Sequence, residues 1–178
     1  MKRNRKVQER YDPLSRFFHW SVAFLIGWQL LKFFDRIAEG EHWVGQTLVS
    51  WHVSIGMLLF ILIAARIAWA LMRMDERPAP DPATAFTVNS GHFLLYVGMA
   101  LMPITGVLAM VGKGHGLAAF GIELVARRAE GDEIAWMASL GSMHPPIAWV
   151  LLVLVVGHIA MALHHHFIKR DGTIRRMA

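Results

Sequence analysis

The stretch MHPPIAWVLLVLVVGHI, Met143 to Ile159, holds two histidines fourteen positions apart in otherwise apolar sequence. At about 100° per residue, fourteen positions return to within roughly 40° of the starting face and climb about 21 Å. His144 and His158 therefore leave one face of one helix at two depths. Pro145-Pro146 sets His144 at a helix start or a kink, because proline disfavours helical geometry in the residue before it and has no amide to donate. A histidine inside a membrane is costly without a partner, and imidazole is a common ligand of transition metals and haem iron.

The rest of the chain places this helix in a bilayer. Of 178 residues, 55% are apolar, too many for a soluble domain of this size. There is no cysteine, which excludes disulfides, thiolate-held iron–sulfur clusters and covalent c-type haem attachment, and leaves histidine as the principal metal ligand. The net charge of +5 does not argue for nucleic acid, since in a membrane chain the distribution of Lys and Arg matters more than their sum. No cleavable signal peptide is expected: the first apolar run begins only at Phe17 and no small-residue cleavage site follows it.

Four apolar runs, at 17–34, 48–72, 85–111 and 143–168, predict an all-α integral membrane protein, a single domain over 1–178 built as a four-transmembrane-helix bundle. Asp12-Pro13 reads as an N-cap and first helical residue. Pro103 should bend the third run. The outer loop, 112–141, carries an amphipathic-looking Ile122–Ala138 piece expected at the membrane surface. The N-terminal arm, the second loop with Arg66 and the tail hold thirteen Lys and Arg, against five at the other face. By the positive-inside rule both termini are cytoplasmic.

This orientation sorts the histidines. His52 and His144 begin helices that enter from outside and share the outer level. His19 begins a helix that enters from the cytoplasm, and His158 lies fourteen residues below His144, so these two share the inner level. Opposed imidazoles on different helices are what a six-coordinate b-type haem needs, so the pairs His52/His144 and His19/His158 are the candidate axial ligands of two haems b. Interhelical hydrogen bonding is the plainer use of any one such histidine. A bare zinc or copper site is less suited, because two imidazoles per level leave the tetrahedron unfilled. Gly56, one turn after His52, and Gly157, beside His158, leave gaps that suit either a macrocycle or close helix packing. Arg66 lies on the His52 face at inner depth, where it could meet a haem propionate or snorkel to the interface. His92 competes with His19, as a ligand, a propionate donor or part of a quinone pocket. His164, His165 and His166 fall near the inner interface, and His42 and His115 in outer loops.

The chain also resembles the prokaryotic cytochrome b561 family, small four-helix di-haem proteins of the bacterial inner membrane, and most closely its superoxide-oxidising branch. The resemblance is carried by Tyr11-Asp12-Pro13-Leu14-Ser15-Arg16-Phe17-Phe18-His19-Trp20, by His52-Val53-Ser54-Ile55-Gly56 with Arg66, and by Gly91-His92-Phe93-Leu94-Leu95-Tyr96. It continues through Pro103-Ile104-Thr105-Gly106, Ala119-Phe120-Gly121, and His144 with His158, His165 and His166. It implies His19, His52, His144 and His158 as haem ligands, superoxide oxidised to dioxygen at the periplasmic end, and ubiquinone reduced at the inner end. Lys113, His115, Arg127 and Arg128 could steer the superoxide anion, although Glu123, Glu130, Asp132 and Glu133 share their loop. Two other functions stay open. One is a haem-b anchor that passes electrons from a partner dehydrogenase or hydrogenase to the quinone pool, with the loops docking protein. The other is a haem-free bundle that moves protons or metal.

Overall fold

A computed structural model describes residues 10–33, 43–76, 82 and 84–177; His42 and most of the N-terminal arm lie outside them. Helix α1 spans Pro13–Leu30. It starts four residues before the apolar run because Asp12 caps it: the Asp12 carboxylate accepts from the Ser15 amide at 3.0 Å and the Ser15 hydroxyl at 2.6 Å, and Pro13 occupies the first turn, where no amide donor is needed. Partial burial pushes the Asp12 carboxyl up, but the Ser15 hydrogen bonds and the nearby Arg73 charge outweigh it and hold the group below the ordinary carboxylate range. Asp12→Ala is expected to destabilise the protein by about 1 kcal/mol. A thermal or denaturant scan in detergent that leaves the transition unmoved would contradict that cap.

The second helical stretch begins with a π-helical turn, Val44–Leu48, and a 3-10 turn, Val49–Trp51, before α2, His52–Met72. α1 clasps this irregular entry: the Trp28 indole donates to the Leu48 carbonyl at 3.0 Å and the Gln29 amide to the His52 carbonyl at 2.9 Å. Helix α3 runs Ala85–Gly112 with Pro103 inside it. A short α4, Ala135–Gly141, leads to α5, His144–His164, which continues through a π turn, His165–Lys169. Three stretches, Val44–Met72, Ala85–Gly112 and Ala135–Lys169, are long and apolar enough to cross a membrane. The fourth long helix, α1, has 18 residues, about 27 Å, and is more polar, with Ser15, Arg16, His19 and Gln29.

α1 packs on α2, α2 on α3, and α3 on both α4 and α5. α1 and α5 meet through His19 with His158, and the chain just past α1 meets α5 through Phe33 with Trp149. The core is an apolar plug of Val22, Ile26, Ile55, Leu59, Ile63, Met99 and Leu151. Leu151 lies midway between His144 and His158, so the plug separates the two histidine levels. Outward faces remain apolar, with Ile61 66%, Phe93 66% and Val153 69% exposed, as lipid contact requires.

The amphipathic-looking Ile122–Ala138 piece is not one continuous element. Leu117–Ala119 (β1) and Ile122–Val125 (β2) pair antiparallel, residues 126–134 are irregular, and only Ala135 onward is helical. Phe120 and Gly121 close the hairpin with φ of 52° and 79°, the paired positive values of a two-residue type I′ turn. Gly116 is also left-handed, and a Cβ there would lie 2.8 Å from the Arg127 amide nitrogen and the Val125 carbonyl oxygen. That close crossing leaves no room for a side chain at position 116. The tip docks on α2, where the Phe120 amide donates to Ser54 Oγ at 2.9 Å and the Phe120 ring meets Trp51.

Candidate functional site

Two facing histidine pairs form, one at each end of the plug. At the first level the His52 and His144 ring centroids are 6.1 Å apart, and at the second those of His19 and His158 are 6.3 Å apart. Two imidazoles bound on opposite sides of one metal ion, each by a bond of about 2.0–2.1 Å, have centroids about 6.3 Å apart. Both pairs match that spacing.

His144 is held by the proline-bearing helix opposite. The two prolines after it fall in the first turn of α5, where a missing amide costs nothing, so the helix starts at His144 itself. Its Nδ1 lies 2.9 Å from the Met102 carbonyl oxygen and 3.2 Å from Thr105 Oγ1. A carbonyl only accepts, so Nδ1 carries the proton and Nε2 keeps a free lone pair. This is the usual way a protein orients a metal-binding imidazole. Thr105 is the one buried polar residue among those described, and its hydroxyl also reaches the Leu101 and Met102 carbonyls. Gly106 completes the seat, since a Cβ there would stand 3.2 Å from His144 Cε1.

His52 and His144 line a cavity of 350 Å³ together with Ile26, Met57, Met99, Val107 and Leu117, with Lys32 at its rim. Gly56 also lines it, and a Cβ there would press on Gln29 Nε2 at 3.0 Å. Leu117 belongs to β1, so the hairpin roofs this level. Ring spacing, a free Nε2 and an apolar cavity all fit a flat macrocycle between two imidazoles. Gln29 Oε1 is buried without a hydrogen-bond partner, while its amide nitrogen is committed to His52.

The second level is more crowded. His92 stands 5.6 Å from His158, closer than trans ligation would place it. Arg66 reaches His19 Nδ1 at 3.2 Å, the Phe18 carbonyl at 3.5 Å and Tyr96 Oη at 3.4 Å, with its guanidinium 5.5 Å from the Tyr96 ring centre. A guanidinium only donates, so here His19 Nδ1 is the acceptor. A Cβ placed on Gly157 would meet nothing within 4 Å, which leaves open space beside His158. The Trp69 indole donates to Ser15 Oγ at 3.1 Å and ties α2 to the start of α1 beside this level.

Of the loop cations, Lys113, His115 and Arg127 are exposed. Arg128 is engaged: its Nη2 donates to the Val111 and Gly112 carbonyls at 2.6 and 3.2 Å, capping the C-terminal end of α3. Histidine spacing does not single out the Met102 carbonyl, Thr105 or Gly106. Their signal in the sequence is a threonine and a glycine just past a proline in an apolar run.

Residues 10–178 match the prokaryotic cytochrome b561 family. The chain is 32% identical to cytochrome b561 homolog 2 of Escherichia coli (strain K12) over 174 residues, 95% of this chain and 91% of that protein. It is 25% identical over 176 residues, 96% of this chain and 97% of the relative, to a Yersinia pestis protein named probable superoxide oxidase CybB.

Proposed function

Because the chain belongs to the prokaryotic cytochrome b561 family, a family of membrane electron carriers, we propose that it is a di-haem superoxide:quinone oxidoreductase of the bacterial inner membrane. The observation that carries this reading is the pair of matched imidazole spacings at two levels of one bundle. Haem iron, when bound, supplies the one-electron exchange: two superoxide anions yield two dioxygen molecules, and ubiquinone takes up the two electrons and two protons to become ubiquinol. The chain supplies the rest. His52 and His144 would hold the outer group, with the Met102 carbonyl fixing the His144 tautomer. His19 and His158 would hold the inner one, with Arg66, which donates to His19 Nδ1 here, turning towards a propionate so that the His19 proton can move to Nδ1 and free Nε2. The apolar plug keeps water from the space between the levels.

Four membrane crossings with both termini cytoplasmic place His52 and His144 near the periplasm, where Lys113, His115 and Arg127 concentrate a small anion. His92 and the histidines after His158 stand at the opposite end, where quinone needs protons. The similarity to the Yersinia pestis protein named probable superoxide oxidase supports the superoxide step.

The test uses the purified holoprotein, superoxide and a soluble ubiquinone analogue, with haem reduction and reoxidation followed by visible absorption. Rapid superoxide-dependent reduction, then quinone-dependent reoxidation, is the expected result. Reduction no faster than that of an unrelated b cytochrome overturns the superoxide assignment in favour of an electron-carrier subunit. A purified protein with no b-type bands overturns the haem reading.

A further inference from the structure

Beyond the π turn at the end of α5 the chain reverses. Arg170 and Gly172 both adopt left-handed backbone, with φ of 52° and 73°, and the 3-10 turn Thr173–Arg176 runs back towards α1. There the Tyr11 amide donates to the Arg176 carbonyl at 3.0 Å and the Trp20 indole to the Met177 carbonyl at 2.9 Å. The reversal forms a half-open pocket of 320 Å³ lined by His166, Phe167, Arg170, Gly172 and Arg175.

The electrostatics of this pocket are one-sided. Between Lys169 and Arg176 the chain carries four cations and one carboxylate, Asp171. That carboxylate is consumed locally, accepting from the Thr173 amide at 3.0 Å, the Thr173 hydroxyl at 2.6 Å and His165 Nδ1. Bonds from Thr173 and His165 hold it far below the ordinary carboxylate range, and it is not among the residues that line the cavity. Arg170 and Arg175 face the cavity as exposed side chains.

The surroundings are apolar. Phe167 and Ile168 are 65% and 72% exposed, and on α1 Phe17 and Trp20 are 60% and 56% exposed beside the returning tail. Aromatic side chains flanking a cationic pocket at the end of a membrane helix mark the level where headgroups lie. A ligand that satisfies both halves has a phosphate for the arginines and hydrocarbon for the phenylalanine and isoleucine.

We propose that this pocket binds the phosphate of an anionic phospholipid headgroup, held by Arg170 and Arg175, with the acyl chains lying along Phe167 and Ile168. Arginine suits the task because its planar fork of donors matches phosphate oxygens. Quinone does not match as well, since it is uncharged and offers only two carbonyl acceptors. The site serves as an anchor for the C-terminal turn against α1, separate from the histidine pairs.

The experiment titrates the detergent-solubilised holoprotein with phosphatidylglycerol, phosphatidylcholine or inorganic phosphate and counts bound molecules by native mass spectrometry. Wild-type protein is expected to hold one phosphatidylglycerol more than the double variant Arg170→Gln/Arg175→Gln, whose affinity falls roughly ten- to thirtyfold. Phosphatidylcholine is expected to bind both proteins alike. Visible bands equal to wild type establish that the variant is folded. The charge-matched control Lys169→Gln/Arg176→Gln, outside the pocket, is expected to retain the lipid. Equal retention by wild type and the pocket variant overturns the proposal, as does equal loss in the control, which would mean diffuse attraction to a basic tail. Displacement by inorganic phosphate at comparable affinity overturns the lipid assignment and identifies a free-phosphate site.

Discussion

His144→Ala is expected to remove one haem and leave the other, so that the purified variant carries about half the wild-type haem per polypeptide. The reason is the isolation of the two levels. His144 and His52 share one cavity, His158 and His19 the other end of the bundle, and the Leu59, Ile63, Met99 and Leu151 plug lies between. His52→Ala should give the same half content and the same surviving spectrum. His19→Ala and His158→Ala should each give the complementary spectrum. Combining His52→Ala with His144→Ala should cost nothing beyond either alone, because both remove the same pair. Combining His52→Ala with His19→Ala should abolish binding. Haem extraction and low-temperature difference spectra read all of these. The inner assignment is exposed to a sharper result: loss of haem in His92→Ala with retention in His19→Ala would exchange these two residues, and the 5.6 Å approach of His92 to His158 makes that comparison necessary.

The parts of this site that are legible in the sequence are those set by local periodicity. Fourteen-residue spacing puts His144 over His158 on any straight helix, and the Asp12-Pro13 start obeys capping chemistry that needs no tertiary contact. Pro145-Pro146 reads as either a helix start or a kink at His144, and the helix start is what forms, because a first-turn proline gives up only amides that a helix leaves unbonded. What stays hidden depends on neighbours distant in the chain. Phe120 carries no turn signal, yet it occupies a left-handed position because Ser54 and Trp51, more than sixty residues away, hold the hairpin tip. Arg128 reads as a free steering charge until the α3 carbonyls come within its reach. Periodicity gives Arg66 its depth, but its contact with His19 Nδ1 requires the crossing of α1 and α2, which periodicity does not specify.

Gly141→Val is expected to weaken or abolish the outer haem while the inner one remains, although Gly141 touches neither histidine pair. α4 lies on α3 with backbone against backbone. A Cβ at Gly141 would stand 2.4 Å from both Ala109 Cα and the Ala109 amide nitrogen, and one at Gly112 would stand 2.4 Å from the Ala138 amide nitrogen. No side-chain rotation relieves such contacts, so α4 must move off α3. His144 begins α5 only three residues after Gly141, and its Nδ1 bond to Met102 on α3 depends on that spacing. A shift of α4 therefore pulls the imidazole from its seat beside Gly106. Overpacking of this kind costs about 1–3 kcal/mol, enough to lower haem affinity at that level by roughly an order of magnitude or more. Gly112→Ala should act in the same direction, since it fills the other side of the same crossing. Gly27→Ala is the matched control, because a Cβ there meets nothing within 4 Å, and it should keep both haems. If Gly141→Val binds two haems with wild-type spectra, the α3–α4 crossing does not position His144, and its tautomer must be set by Met102 and Thr105 alone.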